Sequence, residues 1–285
     1  MSHNSFTDDH GRECLRDCFV LFLDLLGTRG VRTGPEALSH LMRVKEAVDE
    51  ARAASFSYSA EDSDGGMMQW FSDNLSVAYV IEDGEATDRL MQLAVETAYL
   101  QLAFVNAGLW SRGAIARGLY FRSNTFIYGP ALERAVVLEH DRAGSARCVL
   151  DEASAAVASA GLLSEDSGAT GSCWRRFLTA DADGSVFVDY LGIAADDPAG
   201  YAIDLEAVLT QHRDSIRDNL HRFDGVPTIE SKFRWLAGYH NFVVSSLGTR
   251  FPEASQWFLP VSHAPSGFRR FAGMAGIRQP SSSTA

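Results

Sequence analysis

Apolar runs of strand length alternate along this chain with longer segments of helical period. The run Cys18–Asp24 is apolar until a carboxylate closes it, which predicts a buried strand over 18–24. Leu38, Leu41, Met42, Val44 and Val48 share one face of a helix predicted over 36–54. Met67–Phe71 and Leu75–Ile81 flank Asp73 as the two strands of a hairpin. Leu90, Leu93, Ala94, Thr97, Leu100 and Leu102 mark a second helix over 86–108. Trp110–Phe121 reads as a long strand in which Gly113 and Gly118 allow a bulge or a close backbone approach. Tyr128-Gly129-Pro130 then starts a third helix, with proline suited to its first turn.

The order β-α-β-β-α-β predicts an α+β fold, a ferredoxin-like antiparallel sheet with helices on one face. Beyond it come Arg147–Leu150, a small helix near 151–160, and strands over Phe177–Ala180 and Ser185–Leu191. The texture changes at Ala199-Gly200, and 204–222 and 228–248 read as helices of an appendage. The expected organisation is a polar, loose segment over 1–17, a core domain over 18–198, a helical extension over 199–262, and a disordered tail over 263–285.

Composition narrows the functions. With 285 residues, 46% of them hydrophobic, the chain can fill a sizeable core. A formal net charge of −12 argues against a nucleic-acid groove and against an anionic membrane surface. No apolar run reaches membrane-span length, and the polar start Met1–Ser5 is no signal peptide. Cys14, Cys18, Cys148 and Cys173 lack zinc-site spacing, so reduced thiols in a cytoplasmic protein are expected.

Two carboxylates carry the chemistry. Asp24 ends the first strand and Asp73 sits in the hairpin; neighbouring strands would bring them to one point. Two oxygen ligands, waters and phosphate oxygens suit Mg²⁺ or Mn²⁺ engaged with a nucleoside triphosphate. Either residue taken alone is more often a helix cap or a turn former than a metal ligand.

Four short motifs in this order resemble the class III nucleotidyl cyclases. Phe22-Leu23-Asp24-Leu25-Leu26-Gly27 is similar to that family's first metal motif, and Phe71-Ser72-Asp73 to its second. Arg112–Gly118 resembles the strand after the second helix, and Tyr128–Glu139 the helix that crosses the dimer to the reacting phosphates. The resemblance covers 18–191, and Lys232–Asn241 extends it towards the bacterial pyrimidine cyclases of the Pycsar anti-phage system. His240, at helical spacing from Phe233, Leu236 and Tyr239, is read as a packing residue.

The resemblance implies metal ligation by Asp24, Asp73 and the Leu25 carbonyl, with two Mn²⁺ or Mg²⁺ ions per site. It implies a phosphate nest at Leu26, Gly27, Thr28 and Arg29, and a homodimer with its sites at the interface. Met67 and Phe126 fall where purine cyclases carry a lysine and an aspartate, which removes the hydrogen bonds to a purine edge. Glu133 and Val137 fall where the family has asparagine and arginine, leaving Arg134 as the catalytic cation; Arg112, Arg117 and Arg29 are further candidates for the phosphates. Thr28 replaces an aromatic residue after the first motif.

The expected reaction converts UTP to 3′,5′-cyclic UMP and pyrophosphate, the product acting on a separate effector. Cyclic CMP is the alternative product, and a non-catalytic nucleotide sensor or an unusual purine cyclase the alternative protein. A haloacid-dehalogenase-type phosphatase would need a second acid at Leu26.

Overall fold

The longest apolar run becomes the central strand. The computed structural model describes residues 6–8, 10–26, 36–56, 67–123, 125–163, 174–198, 200, 203–248 and 250–274. Strand β1 (Arg16–Leu26) is flanked on both sides, antiparallel to β3 (Asn74–Val80) and to β4 (Trp110–Arg122). Strand β2 (Met67–Phe71) pairs with β3 across the hairpin. Helix α1 (Ala37–Phe56) follows β1, and helix α2 (Ala86–Asn106) follows β3. The strand order β2-β3-β1-β4 is the ferredoxin-like arrangement that the pattern predicts. The fold is α+β.

Alternation along β1 feeds two packed layers. Phe19, Leu21, Leu23 and Leu25 cluster with Leu93, Leu100 and Phe104 of α2. Cys18 and Val20 meet Phe6, Tyr120 and Ala131 in a second cluster. Ala131 belongs to helix α3 (Pro130–Arg142), which packs along β4 and β1. The core helices α1 and α2 therefore share one face, and α3 adds cover to the other. Small residues permit this: a Cβ at Gly118 would lie 3.7 Å from that of Ala131.

The sheet continues past the ferredoxin unit. A short β5 (Ile127–Tyr128) pairs with the end of β4, and β6 (Cys148–Leu150) runs parallel to β4. Helix α4 (Glu152–Leu163) follows, and β7 (Leu178–Ala180), β8 (Val186–Val188) and β9 (Arg269–Arg270) complete the order β6-β8-β7-β9.

The strand predicted through residue 191 stops at Val188. Asp189 caps helix α5 (Tyr190–Asp196) instead, its side chain accepting the Gly192 N–H at 2.9 Å. Strand β9 lies within the stretch whose composition reads as a tail, with Phe268 and Phe271 buried beside it. Phe6 of the polar N-terminal segment is likewise buried, edge-on to Tyr120. Single aromatic anchors leave little trace in average composition.

Helices α6 (Leu205–Arg222) and α7 (Pro227–Leu247) pack together as the extension. Phe233 of α7 packs edge-on against Trp110 of β4, with centroids 6.0 Å apart, and the Trp235 indole N–H donates to Asp181 at 2.7 Å. His240 is fully buried between these helices. No helix among the described residues is long and apolar enough to cross a membrane.

Candidate functional site

Sheet register brings the two aspartates together. Asp24 pairs across β1 and β3 with Asn74, the residue after Asp73, and the Leu25 N–H donates to the Asp73 carbonyl at 3.0 Å. The turn carrying Asp73 is held in place. Ser72 has φ 59°, in the left-handed region that side chains disfavour by about 1 kcal/mol. Three contacts offset that cost. The Trp70 indole N–H donates to the Ser72 carbonyl at 2.9 Å, the Ser72 hydroxyl donates to Asp73 Oδ1 at 2.9 Å, and the Asn74 amide reaches the same oxygen at 3.4 Å. Backbone strain fixed by surrounding bonds is a common property of functional turns.

Beside Asp73 lies a cleft of about 470 Å³, lined by Leu25, Ser72 and the α1 residues Ala37, Leu38, His40, Leu41 and Val44. Burial and the neighbouring Arg43 lower the His40 pKa, so that ring is neutral at physiological pH.

On the α3 side, Asp24 meets a charged cluster. Arg112 pairs with Asp24 across β1 and β4, and its guanidinium stands 3.4 Å from Asp24 Oδ2. The same guanidinium lies 2.5 Å from Glu139 of α3, a buried carboxylate. Burial raises the Glu139 pKa, while Arg112 opposes the rise and Asp24 reinforces it. Glu139 therefore fixes the arginine that faces Asp24. The sequence gives Glu139 no role, because its pairing depends on how α3 lies along β4.

The remaining expected site residues are dispersed. Arg117 pairs with Asp17 at 2.8 Å and, by strand alternation, faces the Phe19 side, away from Asp24. Arg134 donates to the Arg117 carbonyl at 2.9 Å and stands 3.3 Å from Asp151. Position 117 is five strand residues from Arg112, about 17 Å. Phe126 is exposed, stacks on Tyr128 at 6.1 Å, and lies beyond the end of β4. That is about 36 Å from Arg112 along the strand, since Phe126 lies opposite Ser123. Within one chain, neither Arg134 nor Phe126 meets Asp24. Met67 enters as backbone of β2 opposite Ala78. Its side chain, and Gly27, Thr28 and Arg29 altogether, lie outside the described residues.

The donor chemistry suits a hard divalent cation. Asp24 and Asp73 offer carboxylate oxygens that are only partly buried, and Leu25 a main-chain carbonyl beside them. Among the described residues no group of three or more His, Cys, Asp or Glu could hold a metal ion. A cation between the two aspartates would thus complete its shell with water and ligand oxygens, as magnesium does at nucleotide phosphates.

No family model and no curated protein matches the sequence. Among solved structures the chain is similar to the adenylyl cyclase CyaB from P. aeruginosa, at 16% identity over 50% of this chain and 80% of that one, with a TM-score of 0.42. It is similar to the guanylyl cyclase Cya2 at 13% identity over 61% and 91%, with a TM-score of 0.41. A class III adenylyl cyclase-like ATP-binding protein from Pseudomonas aeruginosa is 9% identical over 58% and 41%, with a TM-score of 0.41. Overlap of this extent leaves the functional reading to the chain's own residues.

Proposed function

We propose that this chain is a nucleotidyl cyclase that converts UTP to 3′,5′-cyclic UMP and pyrophosphate. The observation that carries the reading is the placement of Asp24 and Asp73 at adjacent register positions on a ferredoxin-like sheet, joined through the Leu25–Asp73 backbone bond. In the proposed reaction the ribose 3′-hydroxyl attacks the α-phosphorus, the bond to the bridging oxygen breaks, and pyrophosphate leaves with its electron pair. Ring closure within one substrate needs orientation above all. Two Mg²⁺ or Mn²⁺ ions held by Asp24, Asp73 and the Leu25 carbonyl would supply acidification of the 3′-hydroxyl and charge neutralisation at the phosphates. Arg112, fixed by Glu139, keeps the Asp24 carboxylate aimed.

The proposed enzyme is a homodimer, a reading that the distances support. Phe126 and Arg134 cannot reach Asp24 on their own chain, so a site containing all of them takes two copies arranged head to tail. The apolar side chains of Met67 and Phe126 cannot exchange hydrogen bonds with a purine edge, which favours a pyrimidine. No acidic acceptor for the amino group of cytosine stands among the expected pocket residues, which favours uracil. A second-messenger role in anti-phage defence accords with the sequence resemblance.

Product analysis tests the reading. The purified chain is incubated with Mn²⁺ and each of the four ribonucleoside triphosphates separately. Cyclic UMP with pyrophosphate is expected. Cyclic CMP would move the specificity to cytosine, a cyclic purine nucleotide would overturn the base argument, and no turnover by the dimer would favour a sensor.

A further inference from the structure

Helix α7 carries a cation to the Asp24 cluster. Phe233 is buried against Trp110, which sets this turn of α7 beside the start of β4, two residues from Arg112. Lys232, the residue before Phe233, is half-buried and within electrostatic reach of Arg112, Asp24 and Glu139. Among the described residues Lys232 has no hydrogen-bond or ion-pair partner. Arg112 is already engaged between the two carboxylates. Burial and the nearby Arg112 lower the Lys232 pKa, and the two carboxylates oppose that shift. Leaving an ammonium partly desolvated without a partner costs stability, and an incoming anion would offset that cost.

We infer that Lys232 binds phosphate oxygens of the nucleotide, specifically the pyrophosphoryl group that departs, so that the helical extension is part of the reaction centre. The identity of the anion rests on the cyclase reading. A lysine suits this task because its three N–H donors rotate freely and follow a group that moves as it leaves. Nothing in the core motifs signals it; Lys232 is placed by the packing of Phe233 alone.

The test is calorimetric titration of magnesium pyrophosphate into the full chain, comparing wild type with Lys232→Met and Lys232→Arg, alongside thermal melting. Lys232→Met is expected to weaken binding by at least about tenfold, the worth of one charge-assisted hydrogen bond. It is also expected to melt at or above the wild-type temperature, since it removes a half-buried ammonium without a partner among the described residues. Lys232→Arg should bind within about threefold of wild type, because it restores the charged donor. Unchanged affinity in Lys232→Met, a lowered melting temperature without selective loss of affinity, or a wild-type protein that ignores pyrophosphate would each overturn the inference. Lys232-dependent pyrophosphate binding by a protein that cyclises none of the four nucleotides would uphold the anion site and sink the cyclase reading instead.

Discussion

At the scale of single residues, removing a carboxylate and removing its arginine should have opposite signatures. Asp24→Asn and Asp73→Asn are expected to lower turnover in the proposed cyclase reaction at least about a thousandfold, or ~4 kcal/mol of lost activation. Both variants should fold normally, since Asp24 is only partly buried and its contact with Arg112 is long. Product within tenfold of wild type from either variant would rule out a site built on these two residues. Arg112→Ala should instead destabilise the fold by about 3 kcal/mol in urea titration, because it strands the buried Glu139 carboxylate. Asp24 and Asp73 were legible in the sequence because each closes or interrupts an apolar run. Glu139 and Lys232 were not, since nothing local distinguishes a charge that faces the sheet from one in solvent.

At the scale of elements, the extension is tied together by a neutral histidine chain. The Trp257 carbonyl accepts from His240 Nε2–H at 2.8 Å, so His240 Nδ1 accepts from His212 Nδ1–H at 3.1 Å, and His212 Nε2 accepts from the Tyr190 hydroxyl at 2.7 Å. Burial holds the His240 pKa down to about 4 and keeps that of His212 well below its ordinary value, with each ring neutral. The unfolded chain takes up protons below about pH 6.5, which the folded chain refuses, so stability is full above that pH and falls as pH drops towards 4. His240 alone accounts for about 2 kcal/mol between pH 7 and pH 5. Glu96 pulls the other way: burial raises its pKa to about 7, so its contribution is lost as pH rises through that value. Urea midpoints across this range should drop at acid pH for wild type and flatten for a His240→Asn variant; parallel curves would refute the neutral chain. Close backbone approach makes a second element-scale case. A Cβ at Gly113 would lie 2.3 Å from the Phe22 carbonyl oxygen, so Gly113→Ala should force β1 and β4 apart and cost about 1–3 kcal/mol, read as a lowered melting temperature. Strands and helices were legible from their periods, and Gly113 from its place inside a strand. The stop of β8 at Asp189 was not, because a cap competes with a strand only through a geometry that the period does not encode.

At the scale of the whole molecule, the ferredoxin order was legible because each hydrophobic run has one plausible neighbour. Strands β7 and β8 were legible too, but their joining the same sheet through β6 was not, because strands of two or three residues do not specify a neighbour, and β9 lies in a stretch that reads as a tail. Their stability comes from the extension. Phe268 packs edge-on against Trp235 at 5.4 Å, and Arg270 pairs with Asp189, a fully buried carboxylate. Removing residues 263–285 would leave that charge uncompensated, at a cost of about 3–5 kcal/mol, and would open the β7 edge. Such a truncation is expected to give aggregated protein on size-exclusion chromatography, whereas Arg270→Met, which strands the same carboxylate but keeps β9 on the β7 edge, should lose that stability yet elute as unaggregated protein. A truncated chain that stays soluble and melts like wild type would show that β9 is dispensable.

The pairing of β9 with β7 also has a temporal side. During translation β1 and β3 can meet as soon as the hairpin emerges, and β4 soon after. The outer edge of β7 must wait until Arg269 and Arg270 have been made, some ninety residues later. A nascent chain interrupted before that point displays an unpaired strand edge and a buried-charge site without its counter-ion, both of which chaperones and proteases recognise. Incomplete copies are therefore expected to be cleared, and only chains translated through residue 270 to persist as folded protein.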